Sequence, residues 1–81
     1  MNQAEAIARL QTIFDDLFLE PVVLTPAVSA KDVPEWDSLI HISLVVAVEK
    51  AFSVRFRVGE VEKTNNIGEL ADLILKRMQE P

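Results

Sequence analysis

Cysteine is absent from the chain, which excludes a disulfide framework, a thiolate zinc site and a thiol nucleophile belonging to the protein itself. Glycine is almost absent, at two residues beside four prolines, so the pattern is one of a few ordered elements joined by defined loops. Clustered positive charge is missing as well. Eight Lys plus Arg stand against thirteen Asp plus Glu, for a formal charge of −5, and the basic residues are scattered from Arg9 to Arg77. Phosphate-backbone binding needs them gathered, so nucleic acid is not an expected partner. No stretch reaches the ~20 consecutive apolar residues that span a bilayer. The opening "MNQAEAIARLQTIF" has no basic region followed by an apolar core and a small-residue cleavage site. The expectation is a soluble, cytoplasmic protein with no membrane insertion.

What is present is apolar. Hydrophobic residues make up 49% of 81, too many for a disordered tail. The length suits one domain, residues 1–81, with a modest core: such a chain buries roughly 60–65% of the surface it exposes when unfolded. Little is left for a deep catalytic cleft.

Ile7, Leu10, Ile13, Phe14, Leu17 and Phe18 recur at helical steps and predict a helix from about Gln3 to Phe18. Asn2 and Glu5 have the spacing of a capping box at its start. From Leu19 to Trp36 the periodicity collapses around Pro21, Pro26 and Pro34. Connections this long are either pinned or functional, and Val22, Val23, Leu24 and Val28 are the residues available to pin it.

The next stretch, "PEWDSLIHISLVVAVEKAF", alternates like a strand at Ile40, Ile42 and Leu44. Its length decides for a helix. From Asp37 to Phe52 there is no Gly or Pro, Asp37 is a good N-cap, and strands rarely exceed eight residues. "SVRFRV" then reads as an extended link with Val54, Phe56 and Val58 inward. A short helix is expected within Gly59–Lys63. Asn66 and Glu69 repeat the capping-box spacing ahead of Ile67, Leu70, Ala71, Ile74 and Met78, so a last helix is expected from about Ile67 to Met78. The fold class is all-α: a small bundle of three main helices plus one short helix, with a long loop between helices one and two.

Ser38 falls at the first position of helix two, beside unpaired backbone N–H groups and the positive end of the helix dipole. The plain reading is that Asp37 and Ser38 only cap the helix; the functional one is that an anionic ester on Ser38 would sit in a favourable site. A hydrolytic pairing with His41, one turn away, lacks a group to orient the imidazole, an oxyanion hole and a surrounding pocket. Helix two also carries more apolar residues than one core stripe needs. Leu39, Ile42, Val45, Val46 and Val48 suffice for the core, leaving Ile40, Leu44 and Ala47 either under the loop or facing a partner or cargo. Trp36 either staples the loop to helix two or meets cargo and partners.

"EWDSLIHISLVVAVEKAFSVRF" followed by "GEVEKTNNIGELADLI" resembles the acyl carrier protein family over nearly the whole chain. The resemblance joins an Asp-Ser-Leu triplet at a helix start, an acidic residue and Phe closing that helix, an extended link, a short Glu/Lys helix and a polar turn before an I-x-x-L-x-x-L-I run. It implies that Ser38 binds the cofactor, receiving 4'-phosphopantetheine covalently from coenzyme A through a phosphopantetheinyl transferase. It implies no catalytic residues and no metal: the chain is a carrier, not an enzyme, and the thiol that cysteine would supply comes with the arm. Acyl-loading and acyl-processing enzymes would dock on helix two, at Asp37, Leu39, Ile40 and Glu49, with the chain a monomer. Fatty-acid carriers place acidic residues soon after the serine and along helix two, where this chain has Ile40 and Ser43. That departure points to a discrete, specialised lipid, polyketide or saccharide pathway. A peptidyl or aminoacyl carrier of a nonribosomal pathway and an unmodified helical interaction module are the alternatives.

Overall fold

The computed structural model describes residues 1–79. Helix α1 spans Gln3–Leu17, α2 Ser38–Phe52 and α3 Ile67–Gln79. Two 3-10 turns, Ala30–Asp32 and Val61–Lys63, lie in the connections, and no strand occurs among the described residues. The all-α expectation holds, with the short helix realised as the 3-10 turn at Val61–Lys63 and a further turn inside the long loop.

The caps form where the spacing places them. Asn2 Oδ1 accepts the Glu5 N–H at 2.9 Å and Glu5 Oε1 accepts the Asn2 N–H at 3.1 Å. Those two bonds satisfy donors that the first turn of α1 leaves unpaired. At α3, Asn66 Oδ1 takes the Glu69 N–H at 2.8 Å, but Glu69 reaches back to the Asn65 N–H at 3.0 Å, one residue earlier than a closed box. Helix α1 ends one residue short of Phe18, whose backbone is already extended (φ −100°, ψ 135°).

Helix α1 presents Ala6, Leu10 and Phe14 to the core, and α3 presents Ile67, Leu70, Ala71 and Ile74. Met78, expected on that stripe, is 41% exposed near the helix end. Helix α1 packs on both partners, whereas α2 and α3 touch each other little.

Helix α2 corrects the expected assignment of faces. Its buried residues are Leu44, Val48 and Phe52, one narrow stripe at four-residue steps. Leu39, Ile42 and Val46 are 73%, 62% and 45% exposed. Ile40 and Val45 are half-buried against the core. A helix apolar on most sides carries no phase in its own sequence; α1 imposes it. At its end Ser53 turns the chain in the left-handed conformation (φ 54°, ψ 46°), and the Val54 N–H reaches back to the Glu49 carbonyl at 3.1 Å. Val54 is then buried and Phe56 half-buried as expected. Val58 is fully exposed, because the chain leaves its extended path there for a turn through Gly59 (φ 85°).

The long loop is pinned at both sides. Gln11 accepts the Leu24 N–H at 2.9 Å and donates to the Val22 carbonyl at 2.6 Å. Leu24 and Val33 are buried, while Val23, expected inward, is 78% exposed. Across the bundle, the Val28 and Pro26 carbonyls accept the Ile67 and Gly68 N–H groups at 2.8 and 2.9 Å. Loop carbonyls thus close the first turn of α3.

That approach requires glycine at 68. A Cβ there would lie 3.0 Å from Pro26 Cβ and 3.2 Å from its carbonyl oxygen. Neither is the end of a flexible side chain. Alanine gains up to about 1 kcal/mol of helix propensity, against about 1–3 kcal/mol for overpacking a fixed contact. Gly68→Ala is therefore expected to lower the melting temperature by about 4–8 °C, the shift that a net loss of about 1 kcal/mol produces at this size. An unchanged or higher melting temperature would show that the loop yields without cost.

Candidate functional site

The start of α2 is built by its neighbours in sequence. Asp37 is extended (φ −105°, ψ −176°), and its Oδ1 accepts the Ile40 N–H at 2.9 Å. The Asp37 carbonyl accepts the His41 N–H at 2.9 Å. Ser38 is consequently the first helical residue, and it is exposed. Its hydroxyl sits beside amides that have no carbonyl one turn back to bond.

Ser38 does not stand on a bare convex end, as the sequence suggested. It borders an open cleft of about 690 Å³ between α2 and the segment that leads into α3. His41 and Ile42 line one wall, Glu62, Asn65 and Leu70 the other.

Trp36 and His41 brace this corner. The Trp36 ring meets Phe14 edge-on at 5.3 Å between centroids and Phe18 at 6.1 Å, while Phe14 and Phe18 stack at 4.8 Å. On its other side it stacks on His41 at 6.2 Å. Trp36 is thus a staple, and it fastens the loop to α1 as well as to α2. Its Nε1–H donates to His41 Nδ1 at 3.2 Å. An indole N–H is donor only, so Nδ1 is the accepting nitrogen and Nε2–H donates to Glu62 Oε1 at 2.9 Å.

The imidazole therefore is oriented, contrary to the expectation from sequence, but both nitrogens are engaged away from Ser38. A base needs a free nitrogen within reach of the hydroxyl proton, and this ring offers none. Glu62, the residue that completes the brace, was missed: it lies 21 positions beyond His41, with no periodicity linking the two.

The other residues placed at the docking surface divide. Asp37 is exposed and spends one oxygen on the cap. Glu49 is half-buried and accepts the Phe56 N–H at 2.9 Å, holding the extended link against α2. Leu39 is exposed, whereas Ile40 turns inward, correcting its expected place away from the core. The exposed apolar row beside Ser38 is Leu39, Ile42 and Val46. No group of three or more candidate metal ligands occurs among the described residues. No helix among them is long and apolar enough to cross a membrane.

Three helices pack around one core, and a capped, exposed serine stands at the start of the second. No protein-family model matches the chain. An acyl carrier protein of Thermosynechococcus vestitus is 31% identical over 75 residues, covering 91% of this chain and 93% of that one. The solution NMR structure of holo acyl carrier protein from Geobacter metallireducens superposes with a TM-score of 0.81 at 39% identity, over 90% of this chain and 85% of that one. The chain belongs to the acyl carrier protein family, whose members are carriers rather than enzymes.

The brace has a pH signature. The Glu62 carboxyl is held below its ordinary value of 4.5, first by its own backbone N–H and then by the His41 ring. A carboxyl lowered by folding adds stability above its unfolded pKa and loses it as the pH falls through the folded value. Glu62→Gln is thus expected to be less stable than the parent chain at about pH 7 and to approach it at about pH 3, in denaturant titrations at each pH. An equal gap at both would place the effect outside the carboxylate charge.

Proposed function

We propose that Ser38 is the attachment point of 4'-phosphopantetheine and that the chain presents acyl groups to biosynthetic enzymes from there. The observation that carries the reading is the exposed hydroxyl at the capped start of α2. A phosphodiester at that position meets the unpaired amides and the helix dipole, worth about 0.3–1 kcal/mol at an exposed helix start. In the loading reaction the Ser38 hydroxyl loses its proton and bonds to phosphorus of coenzyme A, with adenosine 3',5'-bisphosphate leaving, in the active site of a phosphopantetheinyl transferase. When bound, the arm supplies the terminal thiol that the cysteine-free chain lacks, and an acyl group is held on it as a thioester.

The residues present fit this group. Asp37 fixes the helix start, and the Trp36–His41–Glu62 brace holds the first turn against the rest of the fold. The cleft beside Ser38 gives the arm a wall to lie along. In this reading residues 1–81 act as one monomeric carrier domain.

We further place the protein in a specialised lipid, polyketide or saccharide pathway. From Ser38 to Phe52 the charged residues are Glu49 and Lys50 alone, which cancel. The surface beside the arm is the apolar row Leu39, Ile42 and Val46. Partners reading it bind through apolar contact with weak salt dependence, since screening acts on exposed charge.

Incubation with coenzyme A and a promiscuous transferase is expected to raise the intact mass by one phosphopantetheine, and to leave Ser38→Ala unchanged. No gain with several transferases would overturn the assignment. For the docking row, Ile42→Glu is expected to slow the reaction with the native acyl-processing partner by about tenfold or more, with the far-UV helix signal intact. Ile40→Glu should instead lower the melting temperature, because that side chain packs on the core. Unaltered kinetics for Ile42→Glu would remove the row from the interface.

A further inference from the structure

Helix α2 contributes nothing to the formal charge of −5, yet the loop that leads into it is acidic. Between Leu19 and Glu35 stand Glu20, Asp32 and Glu35 with one cation, Lys31. These three carboxylates border a second open groove, of about 800 Å³, on the loop itself. Its apolar lining includes Leu19, Val23 and Pro34, and Lys31 is not part of the lining. Leu19 is 94% exposed and Val23 78%. Neither contributes to the core, so the core does not account for them.

The groove is preformed. Both Glu35 oxygens accept the Leu19 N–H, at 3.1 and 2.9 Å, and Oε1 also takes the Glu20 N–H at 3.1 Å. Gln11 holds the chain at Val22 and Leu24, so Val23 between them is turned outward on a clamped backbone. Asp32 Oδ2 accepts the Ser29 N–H at 3.0 Å, which fixes the 3-10 turn on the opposite side. The donors to Glu35 and Asp32 are neutral, so these bonds hold two of the three carboxylates in place without cancelling their charge. Binding to a rigid surface avoids the ordering entropy that a mobile loop would lose.

We propose that this groove is a protein-docking site, and that its occupant is an amphipathic segment of a partner presenting apolar side chains flanked by Lys or Arg. Charge complementarity selects that chemistry: an apolar floor, three carboxylates around it and no cation in the lining. Basic partner surfaces are therefore read by the loop, and the neutral row on α2 by apolar contact. Glu35 is three residues from Ser38, at most about 11 Å of extended chain, so a segment seated here brings its protein to the start of α2. The inference does not depend on what Ser38 carries.

The test is an NMR titration of the full chain with a synthetic helical peptide of Leu and Lys, beside the same peptide with Glu in place of Lys. Amide shifts are expected to cluster at Leu19–Val23 and Asp32–Glu35, with affinity falling as salt rises and the Glu peptide not binding. A Leu19→Ser/Val23→Ser double variant should keep its melting temperature, since both side chains are exposed, and bind the Lys peptide about tenfold more weakly. Shifts centred on Leu39, Ile42 and Val46, equal binding of the Glu peptide, or undiminished affinity of the double variant would overturn it. So would self-association of the chain that the double variant abolishes, which would make a second copy the occupant.

Discussion

The position of Trp36 against Phe14 and Phe18 is the constraint on which the rest of the structure depends. Those two rings lie on the last turn of α1 and at its cap, and the indole lies edge-on to both. Because Trp36 immediately precedes Asp37 and Ser38, fixing it fixes where α2 starts. The hydrogen bond from its Nε1 to His41 then reaches one turn into the helix, and His41 passes the restraint to Glu62. An exposed serine on a short capped helix is thereby held by contacts that lead back to the core of α1. In the role proposed for Ser38, a handle presented in one orientation needs that kind of support.

The same arrangement explains why α2 is apolar on more than one side. Leu44, Val48 and Phe52 supply its burial, and α2 makes little contact with α3. The cleft beside Ser38 occupies the space between them, and Leu39, Ile42 and Val46 remain in solvent. Three exposed aliphatic side chains beside Ser38 are poorly explained by stability, since burial elsewhere already forms the core. In the proposed role they are contact surface that becomes buried only with a partner.

Much of this was legible in the residues, and for physical reasons. The α1 and α3 stripes are amphipathic, so their buried faces follow from periodicity, and the Asn2–Glu5 box follows from the short reach of the side chains involved. Ser38 at the first helical position follows from Asp37 being a good cap ahead of a Gly- and Pro-free run. The buried face of α2 was not legible, because a helix apolar nearly all round has no preferred side until α1 packs on it. Val23 was read inward as a residue pinning the loop and Val58 from alternation, but a Gln11 clamp and a turn at Gly59 set their directions. Glu35 and Glu62 act across loops through contacts 16 and 21 residues apart, which no local pattern records. The cleft is a gap between helices, and gaps have no sequence.

The central claim is that this corner exists to present a covalent arm at Ser38. Peptide mapping by tandem mass spectrometry of the protein recovered from its own host tests it most directly, because it reads both the modified residue and whatever the arm carries. The account predicts phosphopantetheine on Ser38 itself, localised by fragment ions within the peptide that also holds Ser43, with Ser29, Ser43 and Ser53 unmodified. A chain recovered wholly unmodified from cells that contain an active transferase, or an arm on any other serine, would contradict it.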